Sequence, residues 1–189
     1  WDSVNKDWDI LVGTGTKGTC TDGTAATSCN VRILDAFVTA DGIIYVNDSG
    51  AIRTVDDNGD MRTLYGQKKD YGDGELATAA RCNSMTTCKV CDDLRTTKLV
   101  ILDKQEVKFR EFTIGGTIDT IIGTGVDDKQ TWGGAGSTQP FDNPDWGAFF
   151  DIHPTLGHIF FHRYPDAGVW KRDTDTWTQI YGSGGTNGW

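Results

Sequence analysis

Cysteine, histidine and clustered carboxylates are the side chains of this 189-residue sequence that could bridge, bind a metal or move a proton. Cys20 and Cys29 are separated by a short loop of Thr, Asp, Gly and Ala, and Cys82, Cys88 and Cys91 cluster in a similar stretch further on. Clusters in matching loops read as local disulfides of an oxidising compartment, Cys20 with Cys29 and Cys82 with Cys88. Cys91 aligns with Val38 and Phe150, strand positions that face a neighbouring sheet, and is expected as a buried thiol. A redox or zinc-binding pair at Cys88 and Cys91 fits poorly, because residues three apart on a strand point to opposite faces.

The three histidines are His153, His158 and His162. The first two flank one hairpin turn and the third sits on the following strand. Two imidazoles across a hairpin can share a metal ion; the plainer expectation is a solvated turn and a strand residue. Asp56-Asp57-Asn58-Gly59-Asp60 has the composition of a calcium loop but lacks the spaced ligands and distal Glu of an EF-hand. Asp, Asn and Gly are also what a hairpin turn prefers, and a turn is the expectation. Asn47-Asp48-Ser49 matches an N-glycosylation sequon. There is no Gly-x-Ser-x-Gly and no phosphate-binding glycine loop ahead of a helix.

These groups must be positioned by short strands. Apolar residues alternate in brief runs and no stretch has sustained helical periodicity, which gives an all-β chain. No run approaches the ~20 apolar residues of a membrane helix, so no span is expected. A formal net charge of −9 argues against a nucleic-acid partner, whose phosphates are bound by Lys and Arg. The 24 glycines against 4 prolines suit tight reversals, among them Asp41-Gly42, Asn58-Gly59 and Gly115-Gly116.

The runs also repeat. Gly72-Asp73-Gly74, Ala77-Thr78-Ala79-Ala80-Arg81, the strand Leu99 to Asp103, Val107 to Phe112, and Thr117 to Gly125 form the clearest copy, and two looser copies flank it. Gly13, Gly66, Gly123 and Gly182, each after a last strand, stand 53, 57 and 59 residues apart. About four strand signals per period of this length point to propeller blades. The expected strands run near Ala36 to Thr39, Ile43 to Asn47, Ala51 to Asp56 and Met61 to Tyr65. The second set runs near Lys89 to Leu94, Lys98 to Leu102, Val107 to Thr113 and Thr117 to Ile122. The third runs near Ala148 to Ile152, His158 to His162, Gly168 to Arg172 and Thr176 to Tyr181.

The Gly-Asp-Gly, Ala-x-x-Ala-Arg, Ile52-Arg53 and Ile121-Ile122-Gly123-Thr124-Gly125 elements resemble NHL repeats, the units of six-bladed β-propellers. The resemblance implies blades at 14–66, 67–123 and 124–182. Residues 1–13 then form the tail of a preceding blade, because Trp1 and Trp8 precede Gly13 as Trp170 and Trp177 precede Gly182, and 183–189 begin a further repeat. Three blades cannot close a ring and leave apolar faces to cover, so the chain is expected to be a processed or excerpted part of a longer array or a half-propeller that forms a homo-oligomer. The resemblance also implies that Asp48, Asp103, Arg53 and Arg110 make structural hydrogen bonds and ion pairs repeated from blade to blade. Arg163 stands where those aspartates stand in the other copies.

Amidating lyases that share the fold draw zinc-binding histidines from different blades, whereas these three lie in one. Residues that break the repeat, namely Tyr71, Trp132, Trp146, Arg163 and Tyr164, are the candidate binding residues, being of types that dominate binding hot spots. The reading is therefore an exported scaffold that binds a protein or other partner through its loop face, without cofactor. A lyase or lactonase with its metal at the axis, and a subunit of a surface filament, are the alternatives.

Overall fold

The computed structural model describes residues 9–39, 42–66, 73–80, 90–93, 98–103, 106–126, 133–140, 149–153, 155–163 and 166–182. Three four-stranded antiparallel sheets make up the fold, each a meander in chain order. The first holds β1 (Ile33–Val38), β2 (Ile44–Asp48), β3 (Ile52–Val55) and β4 (Met61–Tyr65). The second holds β5 (Val90–Asp93), β6 (Lys98–Asp103), β7 (Lys108–Phe112) and β8 (Ile118–Ile122). The third holds β9 (Phe149–Ile152), β10 (Ile159–Arg163), β11 (Asp166–Lys171) and β12 (Thr176–Tyr181). Three-residue 3-10 turns at Ala26–Ser28, Ala77–Ala79 and Gly136–Thr138 are the helical elements among the described residues.

The sheets share one register. Between the third and fourth strands each has a bulge at the same place: after Ile52↔Tyr65 comes Arg53↔Thr63, after Phe109↔Ile122 comes Arg110↔Thr120, and after Ala167↔Tyr181 comes Gly168↔Gln179. A bulge puts an extra residue in one strand and re-aims the side chains beside it. The loop ahead of each sheet returns to the base of its last strand through the bridges Ala25↔Asp60, Leu76↔Thr117 and Ala135↔Thr176.

Packing joins the sheets face to face. Tyr45, Ile52 and Tyr65 of the first sheet meet Leu99, Ile101, Phe112 and Ile118 of the second, with Ala77 and Ala80 among them. Val100, Leu102, Phe109 and Ile122, on the second sheet's other face, meet Phe150, Ile152, Phe161, Trp170 and Trp177 of the third. Both faces of β6 are dry, which is why Leu99-Val100-Ile101-Leu102 is a continuous apolar run without polar alternation. A smaller cluster of Ala26, Cys29, Val46 and Met61 lies between the first sheet and residues 12–31. Strand β5 lies beside β1 and β2 on one side and β9 on the other.

Two sequence expectations need correction. Strand β1 begins at Ile33, ahead of the expected Ala36, because an irregularity between Ile33 and Asp35 lets pairing continue to Asp48. Cys91 does not share its place with Val38 and Phe150. It lies opposite Val100, as Phe37 lies opposite Tyr45 and Asp151 opposite Phe160.

Candidate functional site

The four repeated polar residues form two ion sets at the bulges. Arg53 is buried; its guanidinium donates to Asp22 Oδ1 at 2.8 Å and to the Cys20 carbonyl at 2.7 Å, and lies 3.4 Å from Asp48 Oδ2. Asp22 also accepts from the backbone N–H and the hydroxyl of Thr63, at 3.1 and 2.8 Å. The Cys20–Cys29 disulfide closes the loop that presents these acceptors. Its covalent link restricts the unfolded chain as well.

Arg110 repeats the arrangement. It is fully buried, donates to Asp73 Oδ1 at 2.9 Å and lies 3.8 Å from the buried Asp103. Asp73 accepts from the Thr120 hydroxyl, as Asp22 does from Thr63. Partial burial raises the Asp73 pKa, but the hydrogen bonds from Arg110 and Thr120 outweigh it and hold the carboxyl below its ordinary range. Burial, with the Asp103 carboxylate next, pushes the Tyr65 phenol far upward, so Tyr65 stays a neutral donor, 3.5 Å from Asp103. Acid and base groups that recur in equivalent places and pair with one another serve the scaffold.

The third sheet abandons this set. By register Gly168 takes the place of Arg53 and Arg110, Gln179 that of Thr63 and Thr120, and Arg163 that of Asp48 and Asp103. In sequence Trp132 precedes Gly133 as Asp22 precedes Gly23 and Asp73 precedes Gly74, and the three glycine N–H groups bond to Trp177, Met61 and Ile118 in matching fashion. Four polar positions therefore change together. Arg163 ends β10, but its side chain, like all of Tyr71, Trp132, Trp146 and Tyr164, lies outside the described residues. So do Cys82, Cys88 and the Cys91 side chain.

Stabilisation of the third sheet moves elsewhere. Asp175, at φ +47°, stands where Gly59 stands in the first, and its carboxylate accepts from Trp170 Nε1 at 2.8 Å and from Ser137. Slight burial raises its pKa; the bonds from Ser137 and Trp170 prevail and lower it. Gly136 replaces the alanines at 26 and 77 because a Cβ there would meet the Trp170 ring at 2.5 Å. Between the second and third sheets, the buried Glu111 accepts from Lys98 on its own sheet and from Arg172 at 2.8 Å across the gap. The Arg172 guanidinium also lies 5.6 Å over Trp170.

The other candidates resolve into structure. His153 Nδ1 accepts from the N–H groups of Thr155 and Leu156, and His158 Nδ1 from that of Arg172. His162 is exposed on β10, and among the described residues no three His, Cys, Asp or Glu could hold a metal together. Asp56 caps its own turn, accepting from the N–H groups of Asn58 and Asp60 and from Arg62. The amide of the sequon residue Asn47 is buried, so the folded chain leaves no room for a glycan there. A shallow groove between β1 and β2, lined by Asp35, Phe37, Tyr45 and Asn47, has a cavity volume of about 10 Å³, well under the ~300–1,000 Å³ of small-molecule sites. No described helix is long and apolar enough to cross a membrane.

No family model and no curated protein matches the chain. A solved structure from Bacteroides thetaiotaomicron VPI-5482, a structural genomics protein of unknown function, is similar to 65% of this chain at 21% identity and a TM-score of 0.46. The match takes in 30% of that protein's length.

Proposed function

We propose that the chain is a segment of an NHL-like β-propeller and serves as an exported scaffold that binds a protein through the loop end of its third repeat. The three sheets are its blades, with β1, β5 and β9 innermost. One observation carries the binding reading: two repeats spend their bulge positions on Asp–Arg ion sets, while the third substitutes Trp132, Arg163, Gly168 and Gln179 together. Tryptophan and arginine, in sequence places that hold aspartates in the other two repeats, are the types that anchor protein interfaces. The Cys20–Cys29 disulfide supports an extracellular or periplasmic setting.

The test compares wild type with a Trp132→Ala, Arg163→Ala, Tyr164→Ala variant as baits in extracellular or periplasmic extract of the source cell. The reading expects a captured protein that the variant loses while keeping its melting temperature. Capture that survives the substitutions would overturn it. So would stoichiometric zinc or calcium whose removal abolishes a lyase or lactonase activity, the outcome the enzyme alternative requires.

A further inference from the structure

The two outer faces of the three-sheet stack keep exposed apolar residues where their equivalents inside it are dry, although residues 12–31 already cover Val46 and Met61 at one end. Tyr181 is 72% exposed, whereas Tyr65 and Ile122, at the same register place, are 0% exposed. Phe160 is 39% exposed against 4% for Tyr45. At the other end Val38 is 56% exposed against 7% for Ile152, and Ile44 and Val55 are half-buried where Ile159 and Trp170 are buried. Apolar faces of this kind mark surfaces that bind protein.

Each internal interface joins a face of the third-sheet type to a face of the first-sheet type, so the chain carries both halves of a further one. Sizes match as well. Where the second sheet offers the small Val100 and Ile122, the third opposes them with Trp170 and Trp177. Where the first offers Tyr45 and Tyr65, the second opposes them with the smaller Phe112 and Ile118. The free positions follow the same rule, with Phe160 and Tyr181 at one end and Val38 and Val55 at the other, and dense cores need such pairing of large with small. We propose that copies of this chain pair head to tail, the Phe160 and Tyr181 face of one seating on the Val38 and Val55 face of another.

One segment stands in the way. Gly13 bonds to the Ala26 carbonyl as Gly123 bonds to that of Gly136, so residues 9–12 lie where the last strand of the incoming sheet must go. They join no ladder among the described residues, and Ile10 and Leu11 are exposed. The partner's β12 displaces them. The contact is heterologous, each copy using a different face, and it rests on the shared register alone, independent of any protein bound at the loop end.

Sedimentation of the 189-residue chain tests this. Self-association in the micromolar range is expected, weakened about tenfold or more by either Tyr181→Lys or Val38→Lys. Both residues are exposed, so both variants keep the wild-type melting temperature. Mixing the two restores a heterodimer, because each retains one intact face, and truncation before Gly13 tightens the wild-type association. A wild type that stays monomeric overturns the proposal, as it would if further sheets of a longer polypeptide covered these faces. Association that survives Val38→Lys also overturns it, because two third sheets would then be meeting each other.

Discussion

Behind the bulge of the second sheet sits the buried guanidinium of Arg110, held by Asp73 and Asp103; behind the same bulge of the third sheet sits Gly168. The register is unchanged across that replacement: the irregularity falls between Phe109 and Arg110 in one and between Ala167 and Gly168 in the other. Backbone pairing therefore makes the bulge, and the arginine occupies a place the backbone has already created. Freed of that occupant, the third sheet secures itself with Trp170, Trp177 and the Asp175 carboxylate nearer the base of the meander. Stability and register are thus separable here, and only the former depends on charge.

The largest expected effect comes from removing the arginine where it is driest. Arg110→Met leaves the buried Asp103 without its cation, a change that costs about 3–5 kcal/mol in buried pairs. Arg53→Met costs less, because Asp48, the counterpart of Asp103, is 9% exposed against 1% and water can more readily take over. Denaturant melts of both variants should show that order, and an added Asp103→Asn should recover part of the Arg110→Met loss. Equal, small losses would mean that the ion sets ornament the bulge without supporting it.

The third sheet's alternative breaks at a different residue. Gly136→Ala drives a methyl into the Trp170 ring and should cost about 1–3 kcal/mol, the range for overpacking. Trp170→Phe in the same chain should relieve much of it. The corresponding alanines at 26 and 77 tolerate their methyls already, so the penalty belongs to the third repeat alone.

Glu111 links the two kinds of sheet and titrates. Burial raises its pKa, but the hydrogen bonds from Lys98 and Arg172 prevail and hold it below the ordinary 4.5. A carboxyl with a depressed folded pKa adds stability above its unfolded value and loses it as pH falls through the folded one. Glu111→Gln should cost about 1–3 kcal/mol at neutral pH, the worth of hydrogen bonds to a charged group. The gap from wild type should narrow below pH 4.5, and a gap independent of pH would assign the effect to packing.

Sheet count and strand order were legible because alternation and turn glycines recur with the repeat, as in Leu99 to Asp103 and Gly115-Gly116. The Asp48, Arg53, Asp103 and Arg110 sets were legible for the same reason: repetition marks a scaffold position. Their loop-borne members, Asp22 and Asp73, were missed as ligands because the pairing spans more than thirty residues and only the bulge brings it together. The signal lay in Asp-Gly recurring ahead of the first two 3-10 turns and giving way to Trp132-Gly133 ahead of the third. Cys91 was misplaced by alignment on residue type, whereas strand register follows the hydrophobic pattern and turn geometry of each hairpin.

The smallest effect expected asks whether those loop aspartates need their second donor. Thr120→Val removes the hydroxyl that Asp73 accepts from and keeps the β-branched shape, while Thr63→Val leaves Asp22 its backbone N–H from the same residue. Asp73 is partly exposed and water can replace the lost donor, so each change should cost about 1 kcal/mol or less. Gln179→Val reaches a residue that bonds to Asp166 and the Gly182 carbonyl and should leave the first two ion sets untouched. Chemical-shift changes in the Arg53 and Arg110 side chains would confirm the division if Thr63→Val and Thr120→Val each moved only its own arginine and Gln179→Val moved neither. Coupling of Gln179 to either arginine would mean that the third sheet shares a polar network with the others, and the contrast between them would fail.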